Sequence, residues 1–191
     1  MQKPSDTSIH YELIRSKRRT LSAQIKEGRL IVRAPLRMPV SEIERFLLKH
    51  KEWIAKHLTE AEEKQDVAAK SEKLSLAELR ALAKQAMEVI PLRVAYYAPI
   101  VGVTYGNITI RAQKTRWGSC SAKGNLNFNC LLMLAPPEVL DSIVVHELCH
   151  RKYMDHSRRF YTEVLRVCPD YFKRRKWLKE NGYLLFARLG K

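Results

Sequence analysis

Apolar and polar residues alternate in the opening part of the chain, over residues 9–14 and 21–25. A third apolar run, 30–34, follows a turn signal at Glu27-Gly28. Alternation of this kind predicts short, half-buried strands. Pro35 and Pro39 close that unit, and the spacing then becomes helical. Ile43, Phe46, Leu47, Trp53, Ile54 and Leu58 form one apolar stripe, and Ser41 with Glu44 reads as a capping box at its start. Residues 59–73 are almost entirely charge and alanine, which predicts a solvated helix end and a linker. The chain therefore divides into two lobes, residues 1–73 and 74–191.

In the second lobe, Leu76, Leu79, Leu82, Ala83, Ala86, Val89 and Ile90 predict a long helix from about residue 75 to 97, which Pro91 kinks or breaks. Strand signals over 101–104 and 107–111 flank a turn at Tyr105-Gly106. A polar loop, 113–125, leads to another strand over 126–134. Pro136-Pro137 then opens a helix, since proline suits the first turn. Two further helices follow over 157–167 and 169–181, with Gly182 as the stop. The expected class is α+β, with a small β-rich lobe first.

A hydrophobic share of 46% is ample for a core. The apolar run 131–135 is far too short to cross a bilayer, and the polar start MQKPSDTSIHYEL lacks the apolar segment of a signal peptide. A cytoplasmic protein with no membrane partner is expected. Cys120, Cys130, Cys149 and Cys168 form no CxxC pair and read as reduced core thiols. The net charge of +15 changes the picture more. Residues 1–73 hold 16 Lys and Arg against 11 Asp and Glu, whereas residues 74–191 hold 19 against 9. Such an excess attracts nucleic acid, nucleotides or acidic protein surfaces.

The chemistry concentrates in Asp141-Ser-Ile-Val-Val-His146-Glu147-Leu-Cys-His150. Two histidines four apart project from one helix face and can grip a single cation. Glu147 stands beside them as a base for water on that cation. Two neutral imidazoles and an open position suit Zn2+, one per chain. His156 follows His150 by six residues, enough for the helix to end and the chain to turn back, which makes it the expected third ligand. Metzincins use the same separation with a glycine in the turn, where this chain has Tyr153. Glu163 is the reserve third ligand. Arg116, Ser119 and Tyr153 are candidates for binding substrate or an oxyanion. The strand at 125–134 is the candidate to pair with an extended peptide. The basic residues Lys17, Arg18, Arg19, Arg151, Lys152, Arg174 and Arg175 are candidates for nucleic acid.

Several further segments carry a resemblance. KTRWGSCS (114–121), NLNFN (125–129), LAPP (134–137), VHELCH (145–150), HSRRF (156–160), PDY (169–171) and RRKWL (174–178) together resemble the YgjP-like metallopeptidase family, as do RSKRRT (15–20) and RAP (33–35). The active-site helix is also similar to that of the WLM and SprT proteases, which act on proteins attached to DNA. The resemblance implies a minimal zincin-like catalytic domain with an HExxH helix, with His146, His150 and His156 as zinc ligands and Glu147 as base. The expected activity is a zinc metallopeptidase in which Glu147 activates a zinc-bound water, possible substrates including DNA-associated proteins. Two alternatives stay open: a zinc-dependent nucleotide phosphohydrolase of the nucleoside triphosphate pyrophosphatase type, and a non-catalytic nucleic-acid-binding module with a structural zinc.

Overall fold

Residues 9–26 and 28–190 are described by a computed structural model of the chain. The polar opening segment 1–8 and Glu27 of the expected turn lie outside the described residues. The chain forms two compact units, Met1–Lys70 and Ser71–Lys191. No helix among the described residues is long and apolar enough to cross a membrane.

The first unit is a three-stranded sheet with two helices. Strands β1 (Glu12–Ser16), β2 (Ser22–Lys26) and β3 (Arg29–Pro35) lie in the order β1-β3-β2, with β1 parallel and β2 antiparallel to β3. On β3, Leu30, Val32 and Ala34 alternate into the core, where they meet Ile43, Leu47 and Ile54. These last three come from helices α1 (Val40–Lys49) and α2 (Lys51–Ala69). The single helix expected here is thus two, divided at His50. The expected capping box does not form. Pro39, extended at ψ 145°, is the N-cap, so Ser41 falls inside the first turn and caps nothing. The expected linker is largely helical too, because α2 continues to Ala69. Alanine, glutamate and lysine favour helix intrinsically, and the missing apolar stripe marks a solvated helix rather than a loop.

The second unit begins with α3 (Leu76–Val101), started by a capping box between Ser75 and Glu78. Pro91 and Pro99 lie within it, yet it runs unbroken. Each proline removes one backbone donor, a cost of about 3 kcal/mol. The buried stripe Ala86, Ile90, Val94, Ala98 and Val101 outweighs that cost by packing into the core of the unit. Val101 therefore closes a helix instead of opening the expected strand at 101–104, and Gly102 caps it at φ 78°.

Strands β4 (Ile108–Arg111), β5 (Gly118–Cys120) and β6 (Leu126–Asn129) follow in the order β4-β6-β5. The expected strand over 126–134 stops at Asn129, whose side chain accepts the Leu131 N–H and turns the chain into a 3₁₀ segment, Cys130–Leu134. Helix α4 (Pro137–Cys149) is buried on nearly every face. Arg93 of α3 clamps Asp141 near its start through two 2.7 Å bonds, joined by the Tyr97 hydroxyl at 3.1 Å. Helices α5 (Arg158–Val167) and α6 (Tyr171–Ala187) complete the unit. Gly182, expected as a stop, is buried within α6. A Cβ there would lie 2.8 Å from the Trp117 indole, so glycine serves the packing and not the helix end.

Candidate metal centre

Two local features present the first two imidazoles. His146 lies in the last turn of α4, and His150 follows its final residue with helical φ and ψ of −64° and −15°, so the four-residue spacing holds. The chain then turns through 151–156 and returns His156 just ahead of α5. The ligand atoms of His146, His150 and His156 all lie within 4.8 Å of one another, a group that could hold a metal ion. Beneath them sits Phe160 of α5, fully buried, with its ring 4.9, 4.6 and 5.0 Å from the three imidazoles.

Hydrogen bonds select the ring nitrogens. His150 Nδ1 lies 3.0 Å from the Tyr153 carbonyl. A carbonyl only accepts, so Nδ1 carries the proton and Nε2 keeps its lone pair. His146 Nδ1 lies 2.8 Å from the Tyr171 hydroxyl, while its Nε2 faces His156 Nε2 at 3.2 Å. Two nitrogens bound to one tetrahedral zinc at about 2.1 Å stand about 3.4 Å apart. The donor set therefore fits a divalent metal. Burial, reinforced by His150, His156 and Arg175, lowers the His146 pKa to about 3. Burial also lowers that of His150. Neutral imidazoles are the form a metal requires.

Glu147 is 5% exposed, and burial alone pushes its carboxyl up to about 8. It lies directly over Gly118 of β5. A Cβ on Gly118 would come within 2.7 Å of Glu147 Oε1 and 2.8 Å of its Cγ. Only a residue without a side chain lets strand and helix approach this closely. A small cavity joins Gly118, Ser119 and Cys120 to the histidines and Glu147. A larger one, which shares Gly118, His146, Glu147 and His156 with it, opens between Trp117 and α6.

The other expected residues divide. Arg116 and Ser119 line the cleft, and Ser119 Oγ accepts from Asn127 Nδ2 at 3.2 Å. Tyr153 contributes its carbonyl to His150 and lines neither cavity with its ring. Glu163 is held away in ion pairs with Lys152 and Arg166 at 2.8 and 2.7 Å. The strand expected to pair with a peptide, β6, is the central strand, with β4 on one side and β5 on the other. The edges are β4 and β5, and β5 is the edge whose residues line a cavity with the histidines. Cys149 is inert core, its thiol pushed up to about 12 chiefly by burial.

Most of the basic candidates are engaged within the fold. Arg151 donates to the Thr104 and Ala122 carbonyls, Lys152 to Glu163, and Arg174 to the Glu138 carbonyl. Arg18 donates to Thr20, and Lys17 and Arg19 are exposed on the first unit. Arg175 instead lines the larger cavity. The sequence reading gave no individual role to Gly118, Phe160 and Tyr171. Gly118 fell in the segment 113–125 expected as a polar loop, where β5 forms instead, and nothing local marks the other two.

Two segments of the chain, residues 19–83 and 66–181, match the family described as YgjP-like, metallopeptidase domain. Among solved structures the chain is similar to the metallopeptidase zymogen of Pyrococcus abyssi abylysin. They share 22% identity over 48% of this chain and 94% of that one, with a TM-score of 0.44. The corresponding values for the metallopeptidase zymogen of Methanocaldococcus jannaschii jannalysin are 23%, 48%, 95% and 0.40. No curated protein matches in sequence.

Proposed function

Since the chain belongs to the YgjP-like metallopeptidase family, we propose that His146, His150 and His156 hold one zinc ion and that Glu147 is the base of a peptide-bond hydrolase. One observation carries this reading: three imidazoles converge within 4.8 Å beside a buried carboxyl. A structural zinc site fills its coordination with protein ligands and has no use for a neighbouring base.

Zinc, when bound, supplies Lewis acidity toward the scissile carbonyl at neutral pH. The chain does the rest. Tyr153 and Tyr171 hold His150 and His146 in the required tautomers. Gly118 leaves room for Glu147 to reach into the cleft. Burial alone would keep Glu147 protonated at neutral pH. Beside a bound cation its ionised form is favoured, and that carboxylate would take a proton from the attacking water and hand it to the leaving amine. β5 pairs with β6 alone, and its residues line the cavity with the histidines, so an extended polypeptide adding to that edge would run past the metal. The role first given to 125–134 thus passes to 118–120. Nothing in the site favours DNA-associated proteins over other polypeptides, and the proposal stops at the peptide bond.

The test is Glu147→Gln in zinc-loaded protein, assayed on an unfolded polypeptide. Turnover should fall by about 10²- to 10⁴-fold while zinc stays bound. Full turnover in the variant would exclude Glu147 as the base.

A further inference from the structure

The cavity between Trp117 and α6 carries more positive charge than peptide hydrolysis requires. It encloses about 630 Å³ beside His146 and Glu147. Trp117, Tyr161 and Leu178 give it an aromatic and aliphatic wall. The indole is fixed in place, stacked on Phe186 at 4.3 Å with Gly182 behind it. Arg116, Arg175 and Lys179 also line the cavity.

These three cations differ from others of the same unit. Arg93 is paired with Asp141, and Lys152 and Arg166 with Glu163. Arg116, Arg175 and Lys179 form no ion pair with a carboxylate of the described residues, and Arg175 reaches only the Tyr161 hydroxyl, at 3.5 Å. Arg175 and Lys179 stand four apart on α6, so their like charges repel. That arrangement costs stability in the free protein and is relieved by an anion. The sole acidic residue in the lining is Glu147, which is assigned to the reaction.

We propose that this cavity is the subsite for an acidic side chain next to the scissile bond, its methylenes against Trp117 and its carboxylate among Arg116, Arg175 and Lys179. The inference rests on the peptidase reading and adds a substrate class to it: polypeptides with glutamate or aspartate beside the cleaved bond. The free edge of β5 selects a polypeptide over a small anion, because only a main chain can pair with it.

The experiment uses zinc-loaded Glu147→Gln protein, which should bind without cleaving. C-terminally amidated fluorescent peptides, identical except for Glu, Gln or Lys scanned along the sequence, are titrated by anisotropy. At one position Glu should bind at least about tenfold more tightly than Gln, the range of a hydrogen bond to a charged group. Adding Arg175→Gln and Lys179→Gln should bring that ratio to within about twofold. Lys173→Gln, on the same helix but outside the cavity, should leave it in place. Equal binding of Glu and Gln everywhere overturns the subsite, as does a ratio that falls equally in Lys173→Gln. So does a nucleoside triphosphate that displaces the Glu peptide and is hydrolysed by wild-type protein. Cleavage by wild-type enzyme is measured separately. Glu-selective binding without cleavage defeats the peptidase reading and leaves a carboxylate site, whereas cleavage without Glu preference does the reverse.

Discussion

Tyr171→Phe isolates one oxygen atom. The ring is 3% exposed, and its hydroxyl lies 2.8 Å from Nδ1 of His146, so the variant removes a hydrogen-bond partner and leaves the packing nearly unchanged. The loss falls unequally on the two metal states. With metal on Nε2, His146 must carry its proton on Nδ1, and that buried N–H has no acceptor in the variant. Without metal, the proton moves to Nε2 and is shared with His156 Nε2 at 3.2 Å. The variant then leaves an unmatched N–H in the loaded protein but only an unmatched lone pair on Nδ1 in the unloaded one, a net cost of about 1–3 kcal/mol. Zinc affinity should fall by about 5- to 150-fold. Competition against a chelator of known affinity, on wild-type and variant protein with matching circular dichroism, measures it. A zinc Kd within twofold of wild type would refute the positioning role.

Gly118→Ala tests the contact beneath the base. The new methyl meets Glu147 at Oε1, Cγ and Cδ within 2.9 Å, so the carboxyl cannot escape by swinging its tip. Turnover should fall by roughly 10²-fold with zinc content unchanged; wild-type turnover would contradict the assigned contact. Glu163 bears on stability and pH. Its hydrogen bond to Arg166, helped by Lys152, holds its carboxyl at about 2 against an ordinary 4.5. A depressed carboxyl stabilises the fold fully above pH 4.5 and loses that contribution as pH falls through 2. Glu163→Gln should therefore cost about 1 kcal/mol at neutral pH, and the difference from wild type should close in acid; urea titrations at pH 7, 4 and 2.5 would show it.

The placing of His146 and His150 on one helix face beside Glu147 was legible because that relation is local. A helix places residues i and i+4 on one face whatever surrounds it, and His146 and His150 needed only that. The alternation of Leu30, Val32 and Ala34 gave the inward face of β3 for the same reason. Local rules also misled. Pro91 read as a kink or a break and Gly182 as a stop, yet the helix is not broken at Pro91 and Gly182 stays inside α6, where packing against distant side chains favours that arrangement. Ser41 with Glu44 matched a capping pattern, but the helix is capped two residues earlier, at Pro39, and starts at Val40.

The tertiary structure decided everything that joins residues far apart in the chain. The Tyr171 hydroxyl reaches His146 across 25 positions, and Gly118 lies under Glu147 from another element. Glu163 pairs with Lys152 and Arg166, and so is excluded from the histidine cluster. Strand order makes β6 central and puts β5, beside the histidines, at an edge. Amino-acid order states which side chains a short segment presents and at what period. Which segment they then face depends on how buried apolar surfaces from distant elements fit together, and that is a property of the packed chain.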